Sequence, residues 1–234
     1  MNFDQLSKKF YKNGYVYIEN LFSESLMDAY HEKILNHFAS NSKHIHDESF
    51  LDKSDTDVIP WFPQLDGEKI FSIVENDIRL TNLTENILGK GWRSLYSMVM
   101  FSSRSSNGQA WHQDCTSEDK CFFNLNRLIY TMDINASTGG EIVVIASSHK
   151  RGMIPPSASG KNIGDEIVIS PKKGSLLLLH GNIWHKVLPI NNNIRASTNY
   201  RCVPKNTPDD ITDICVYRNM LYRFSDKRVL VNRD

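Results

Sequence analysis

The triplet His112-Gln113-Asp114 offers an imidazole and a carboxylate two positions apart. On an extended strand, side chains alternate between faces, so both groups point the same way. A second imidazole, His185 in Gly181-Asn182-Ile183-Trp184-His185, follows the apolar run 176–179. Two histidines and one carboxylate make the facial triad that suits non-haem Fe(II), and they leave coordination positions for a cosubstrate and O₂. Ten residues after His185, Arg195 opens the sequence Arg195-Ala196-Ser197. Alternation puts its guanidinium and the Ser197 hydroxyl on one side. A guanidinium fork matches a carboxylate through two hydrogen bonds, so this pair fits the distal carboxylate of 2-oxoglutarate, whose keto acid end would chelate the iron.

Taken alone, a His-x-Asp triplet arises by chance in many chains, and a lone histidine or arginine is more often structural. The ordered set of His-x-Asp, His, Arg and Ser inside a β-rich half is far more specific. Two other readings use the same residues. Zinc-dependent hydrolysis also employs two histidines and a carboxylate, but it gives Arg195 and Ser197 no task. A non-catalytic β-sandwich that binds a metal or ligand as a sensor or partner protein leaves the whole set without chemistry.

The remaining candidates have plainer readings. His180 ends an apolar strand, His149 sits in a turn, and His31 and His37 lie on a helix, so all four read as structural. His44 and His46 fall in a polar loop, where closing over substrate is a hypothesis. Trp111 and Trp184 each precede a ligand and therefore face away from it. Arg201 shares a face with Arg195, Ser197 and Asn199, and either meets an anionic substrate group or makes an ion pair. Trp61, bracketed by Pro60 and Pro63, is a candidate substrate contact.

These residues need elements to position them. Apolar groups at Phe3, Leu6, Phe10 and Tyr11 predict a short helix over 3–12 that stops at Gly14. Residues 15–18 read as a strand. Ser23 caps a helix with apolar positions Leu26, Tyr30, Ile34 and Phe38. Two more helical patterns cover 68–74 and 77–88. Before them, 40–67 is a long polar stretch of the kind that is usually functional or mobile. Beyond Gly91 come short β-rich runs at 94–101, 110–114, 121–134, 141–145, 166–170, 174–180 and 195–203, which suggest a sandwich or barrel. Residues 216–224 form a terminal helix or strand.

With 234 residues, 40% of them hydrophobic and 23% charged, the chain can bury a sizeable core. Lys plus Arg and Asp plus Glu number 27 each, so no global basic field draws it to nucleic acid or anionic membranes. No apolar run is long enough to span a bilayer. Cys115, Cys121, Cys202 and Cys215 lack CxxC spacing, and reduced thiols in a cytoplasmic protein fit best. The expected partner is a small-molecule substrate; oligomeric state is not readable.

The chain resembles the phytanoyl-CoA dioxygenase family of Fe(II)/2-oxoglutarate oxygenases. The likeness runs from Gly14-Tyr15-Val16-Tyr17-Ile18-Glu19-Asn20-Leu21 through Trp111-His112-Gln113-Asp114, then Met132-Asp133 leading to Gly140, and Ser148-His149-Lys150. It ends with Gly174-Ser175-Leu176, His185 and Arg195. The chain departs from the family at Ala146-Ser147-Ser148-His149, often Pro-Gly-Ser-His, at Gly139-Gly140, often Asn-Gly, and at Ile129, where an aromatic residue is sometimes found. The resemblance implies an α+β, mainly β fold: a double-stranded β-helix (jelly roll, cupin-like) with N-terminal helices packed on one sheet. One oxygenase domain would span 1–234, with a helical part at 1–91, a jelly-roll core at 92–204 and an extension at 205–234. His112, Asp114 and His185 would bind Fe(II), and Arg195 would anchor 2-oxoglutarate. The strand carrying Arg127, Ile129 and Thr131 would line the pocket, with Thr131 towards cosubstrate and Arg127 towards substrate. The implied reaction is hydroxylation with release of succinate and CO₂, with desaturation or cyclisation as variants; halogenation is disfavoured because Asp114 keeps its carboxylate.

Overall fold

A computed structural model describes residues 1–40, 58–115, 119–154, 163–191 and 193–208, together with three strands near the C-terminus. Helix α1 (Phe3–Asn13) starts where the Asn2 side chain accepts the Gln5 N–H, and it stops at Gly14, whose N–H returns to the Phe10 carbonyl. It runs into strand β1 (Tyr15–Ile18). The Ser23 hydroxyl caps helix α2 (Glu24–Ser40) by accepting the Leu26 N–H. After a short strand β2 (Ile59–Trp61) and a 3₁₀ turn (Pro63–Asp66) come helices α3 (Ile70–Glu75) and α4 (Ile78–Leu88). Asp77 caps α4 by accepting from the Arg79 and Leu80 N–H groups.

The strands that follow are β3 (Arg93–Ser102), β4 (Gln109–His112), β5 (Leu125–Tyr130), β6 (Ile142–Ile145), β7 (Glu166–Ile169), β8 (Leu176–His180), β9 (His185–Val187) and β10 (Arg195–Val203). They form two antiparallel sheets. The larger has the order β1-β8-β5-β10-β3-β2, and the smaller has the order β4-β9-β6-β7. Strands β11 (Ile214–Tyr217), β12 (Met220–Phe224) and β13 (Leu230–Arg233) pair as a separate three-stranded sheet.

Alternation along the strands sorts the core into layers. One face of the large sheet, with Val99, Leu125, Ile129, Leu176, Leu178 and Tyr200, packs under the helices against Phe10, Tyr30, Ile34, Leu80 and Leu83. Its other face, with Leu128, Tyr130, Leu177 and Leu179, meets Ile142, Val144 and Val187 of the small sheet. Behind the small sheet lie Trp111, Trp184, Val143 and Ile145. Burying a side chain of this size contributes about 1.5–3 kcal/mol, so a one-residue slip would exchange two layers of core at once.

The predicted elements form with a few changes. The run 121–134 forms strand only over Leu125–Tyr130, and 110–114 stops at His112. Strands β2 and β9 appear where none is predicted, and 216–224 falls across the β11-β12 hairpin rather than one element. Of the stretch 40–67, residues 41–57 lie outside the described residues, as do His44 and His46. Cys115, Cys121 and Cys202 are not in disulfides. Among the described residues no helix is long and apolar enough to cross a membrane.

Candidate metal centre

The two histidines meet through strand register. Strand β4 pairs with β9 so that His112 lies directly opposite His185, and their rings stand 4.1 Å apart. Asp114 is delivered differently, because β4 has already ended. The Gly181 carbonyl accepts the N–H groups of Asp114 and Cys115, and the Asn124 side chain donates to the Asp114 carbonyl. The loop before β9 therefore folds the carboxylate back beside both imidazoles. A Cβ on Gly181 would lie 2.1 Å from the Asn124 side-chain oxygen, so only glycine allows this closure.

His112 Nε2 lies 3.9 Å from one Asp114 oxygen, and His185 Nε2 lies 3.5 Å from the other. One donor atom from each of the three residues falls within 4.8 Å of the others. The tautomers follow from the hydrogen bonds. Nδ1 of His112 faces the Ala110 carbonyl at 2.7 Å, and Nδ1 of His185 faces the Ile183 carbonyl at 3.0 Å. A carbonyl can only accept, so each Nδ1 carries the proton and each Nε2 presents its lone pair, as metal-ligating histidines require. Burial, and then His112, pushes the pKa of His185 down to about 4, which keeps the imidazole neutral. Burial works to raise the pKa of Asp114, but Arg201 above all, with His185 and His112, holds it below the ordinary carboxylate range.

Next to the triad is a pocket of about 550 Å³, including its open mouth, lined by Met98, Met100, Leu128, Asn199, Arg201 and Arg195 among others. Arg195 is 1% exposed. Its Nε donates to the Gly140 carbonyl at 2.9 Å, and Nη1 reaches the Ser197 hydroxyl at 3.4 Å. Its Nη2 is buried with no hydrogen-bond partner among the described residues. A buried guanidinium N–H without an acceptor is costly, and an incoming carboxylate oxygen would supply one.

Three sequence-based assignments are corrected. Arg127 and Thr131 lie on the helix side of the large sheet, not in the pocket. Arg127 donates to the Tyr200 carbonyl and the Thr84 hydroxyl, and it stacks over Trp92. The Thr131 hydroxyl is bonded to His31 of α2 at 3.0 Å. The reason is parity: β5 is buried on both faces, and the pocket takes Asn126 and Leu128 from it. Trp61 is likewise a packing residue. Its Nε1 donates to Asp66 and its ring stacks on His37 at 3.9 Å, whereas its neighbour Pro60 lines the pocket. Arg201 does line the pocket, and it pairs with Asp114 at 3.3 Å.

Sequence reasoning missed Asn126 and Tyr130. Tyr130 lies on the pocket side of β5, with the Arg195 guanidinium 5.9 Å from its ring centre, so the aromatic residue absent at Ile129 is present one position on. Among the described residues the other histidines make structural contacts: His180 accepts the Asn182 N–H, His149 bonds the Tyr11 carbonyl, His31 bonds the Thr131 hydroxyl and His37 stacks on Trp61.

Among solved structures, the chain is similar to the non-haem alpha-ketoglutarate-dependent epimerase SnoN from nogalamycin biosynthesis. The TM-score is 0.68 at 15% identity, covering 86% of this chain and 83% of that one. HygX from Streptomyces hygroscopicus, with nickel and 2-oxoglutarate bound, gives 0.65 at 15% identity over 86% of this chain and 87% of its own. The alpha-ketoglutarate-dependent carbocyclase SnoK from nogalamycin biosynthesis gives 0.68 at 13% identity, with coverages of 86% and 83%. These likenesses bear out the mainly β jelly-roll fold. No curated protein matches the chain in sequence. A profile of the family described as phytanoyl-CoA dioxygenase matches residues 10–196, a span that contains all three triad residues and Arg195, and the chain belongs to that family.

Proposed function

We propose that this chain is an Fe(II)/2-oxoglutarate-dependent dioxygenase that hydroxylates a small-molecule metabolite or biosynthetic intermediate. The observation that carries the reading is the pairing of two sites across one pocket. At one end, two Nε2 lone pairs and a carboxylate converge. At the other, a buried guanidinium keeps an unused N–H. When bound, iron and 2-oxoglutarate supply oxidation by O₂, with one oxygen atom leaving in succinate alongside CO₂ and the other available to the product.

The protein's own residues bind, orient and shield. His112, Asp114 and His185 would hold the metal through two Nε2 atoms and a carboxylate oxygen at the wall of the pocket. Arg195, seated by the Gly140 carbonyl and Ser197, fits the distal carboxylate. Val58, Pro60, Met98, Met100, Leu128 and Leu179 make much of the lining apolar, which excludes water from the reacting carbon and from any short-lived oxidant. Zinc-dependent hydrolysis leaves Arg195 idle, and a silent binding protein has no need of an anion site sharing a pocket with a metal site.

The epimerase and carbocyclase named for SnoN and SnoK keep one alternative alive, because epimerisation, ring closure and hydroxylation diverge only after hydrogen abstraction. The test is anaerobic titration with Fe(II) followed by 2-oxoglutarate, and then aerobic incubation with a metabolite panel while succinate and substrate mass are followed. Succinate formation with a substrate mass gain of one oxygen supports hydroxylation. Succinate with an unchanged mass, or a loss of two hydrogens, supports the alternatives. A protein that binds iron but never consumes 2-oxoglutarate overturns the enzymatic reading.

A further inference from the structure

Asp114 belongs to the small-sheet side of the site, yet both of its carboxylate oxygens are held by the large sheet. Oδ1 takes Nη2 of Arg201 at 3.3 Å, and Oδ2 takes the side-chain N–H of Asn126 at 2.8 Å. The two partners are themselves joined, since Arg201 Nε donates to the Asn126 side-chain oxygen at 2.8 Å. Asn199 donates to that same oxygen at 2.8 Å. With two donors on its oxygen, the Asn126 amide has only one sensible orientation, with its NH₂ towards Asp114. Arg201 is 2% exposed and Asn126 is 1% exposed. They stand on the neighbouring strands β10 and β5.

A cation beside a metal-binding carboxylate does two things. It orients the group, and it withdraws negative charge from it. Charge–charge coupling is poorly screened where both partners are buried, so the second effect reaches any ion held by Asp114. Repulsion from a fixed positive charge disfavours the trivalent ion more than the divalent one. The same charge leaves the centre short of negative charge until an anionic ligand arrives.

We propose that Arg201 and Asn126 are positioning residues for the metal, with Asn126 setting the orientation of the Asp114 carboxylate and Arg201 biasing the bound iron towards its divalent state. This rests on the iron-centre reading above. The assignment gives Arg201 a task at the pocket wall: its Nη2 and Nε are committed to Asp114 and Asn126.

The test compares wild type with Arg201→Gln, Arg201→Lys, Asn126→Leu and Asn126→Asp. The two readouts are Co(II) affinity by chelator competition and the Fe(III)/Fe(II) midpoint potential. Arg201→Gln is expected to move the potential to lower values, and Arg201→Lys, which keeps the charge, to stay near wild type. Asn126→Leu is expected to weaken Co(II) by about tenfold, in the range seen for groups that orient metal ligands, with little change in potential. Asn126→Asp, which keeps Arg201 in the sequence and adds a negative charge beside Asp114, is expected to lower the potential and carries the charge test should Arg201→Gln fail to fold. If both charge-changing variants keep the wild-type potential, the proposal is wrong. A wild type that binds neither Co(II) nor Fe(II) would instead overturn the iron-centre reading on which it stands.

Discussion

Arg195 and Arg127 are both fully buried and both leave Nη2 without a hydrogen-bond partner among the described residues, yet the neighbours of each give it a different task. Arg195 faces the pocket and its metal triad. Replacing it with alanine is expected to raise the KM for 2-oxoglutarate by about 100-fold, the loss of roughly 3 kcal/mol that follows when a charged hydrogen-bonded pair loses one partner. Iron content should stay at the wild-type level; elemental analysis of the purified variant showing equal loss of iron would count against the assigned role. Arg127 ties Tyr200, Thr84 and Trp92 together under the helices. Arg127→Met should therefore lower stability by about 2–4 kcal/mol in denaturant titration while the KM for cosubstrate in the folded fraction is unchanged. The three residues of the triad and Arg195 are legible in the sequence because their order and spacing are chemical. Arg127 and Thr131 were misplaced because every residue of β5 is buried, so the usual alternation of apolar and polar residues, which tells one face from the other, is absent there.

At the scale of elements, the site depends on turns as much as on strands. Gly140 precedes β6 with φ +80°, a left-handed backbone, and a Cβ there would lie 2.6 Å from Cδ of Arg195. The same residue offers the carbonyl that seats the guanidinium. Gly140→Ala combines backbone strain of about 1–2 kcal/mol with displacement of Arg195. Calorimetry should show 2-oxoglutarate binding weakened by about tenfold while Co(II) binding stays within twofold; equal losses in both would mean that the turn supports the whole site and not Arg195 alone. The helices were readable from their caps and apolar periods, and most strands from β-branched and aromatic runs. Strand β9 was not, because three residues beginning with a buried histidine carry no periodic signal. Its partner, β4, supplies the register that makes it a strand. Asp114 sits beyond the end of β4, so its placement beside His112 owes more to the Gly181 carbonyl than to strand alternation.

For the molecule as a whole, the helical layer and the metal loop are joined at His180. Its ring packs against Phe10 of α1, at 5.8 Å, and stacks on Phe123, at 3.9 Å. Its Nδ1 accepts the Asn182 N–H in the loop that leads to His185. Protonating Nδ1 would remove that acceptor and put a charge on a buried ring. Burial, and then the neighbouring His149, pushes its pKa down from 6.5 to about 3. A folded-state pKa below the unfolded value means that the folded protein excludes the proton. The stability this provides is complete above pH 6.5 and is lost as the pH falls from there towards 3. Between pH 7.5 and 4.5 the loss from this one group is about 2–3 kcal/mol, and His185 acts in the same direction in metal-free protein. His180→Phe keeps the aromatic stack and removes the titration, although it gives up the bond to Asn182. The variant is therefore expected to be less stable than wild type at pH 7.5 but to lose about 2–3 kcal/mol less on acidification, as read by urea unfolding of metal-free protein at the two pH values. If the variant and the wild type lose the same amount, acid sensitivity does not reside at this joint.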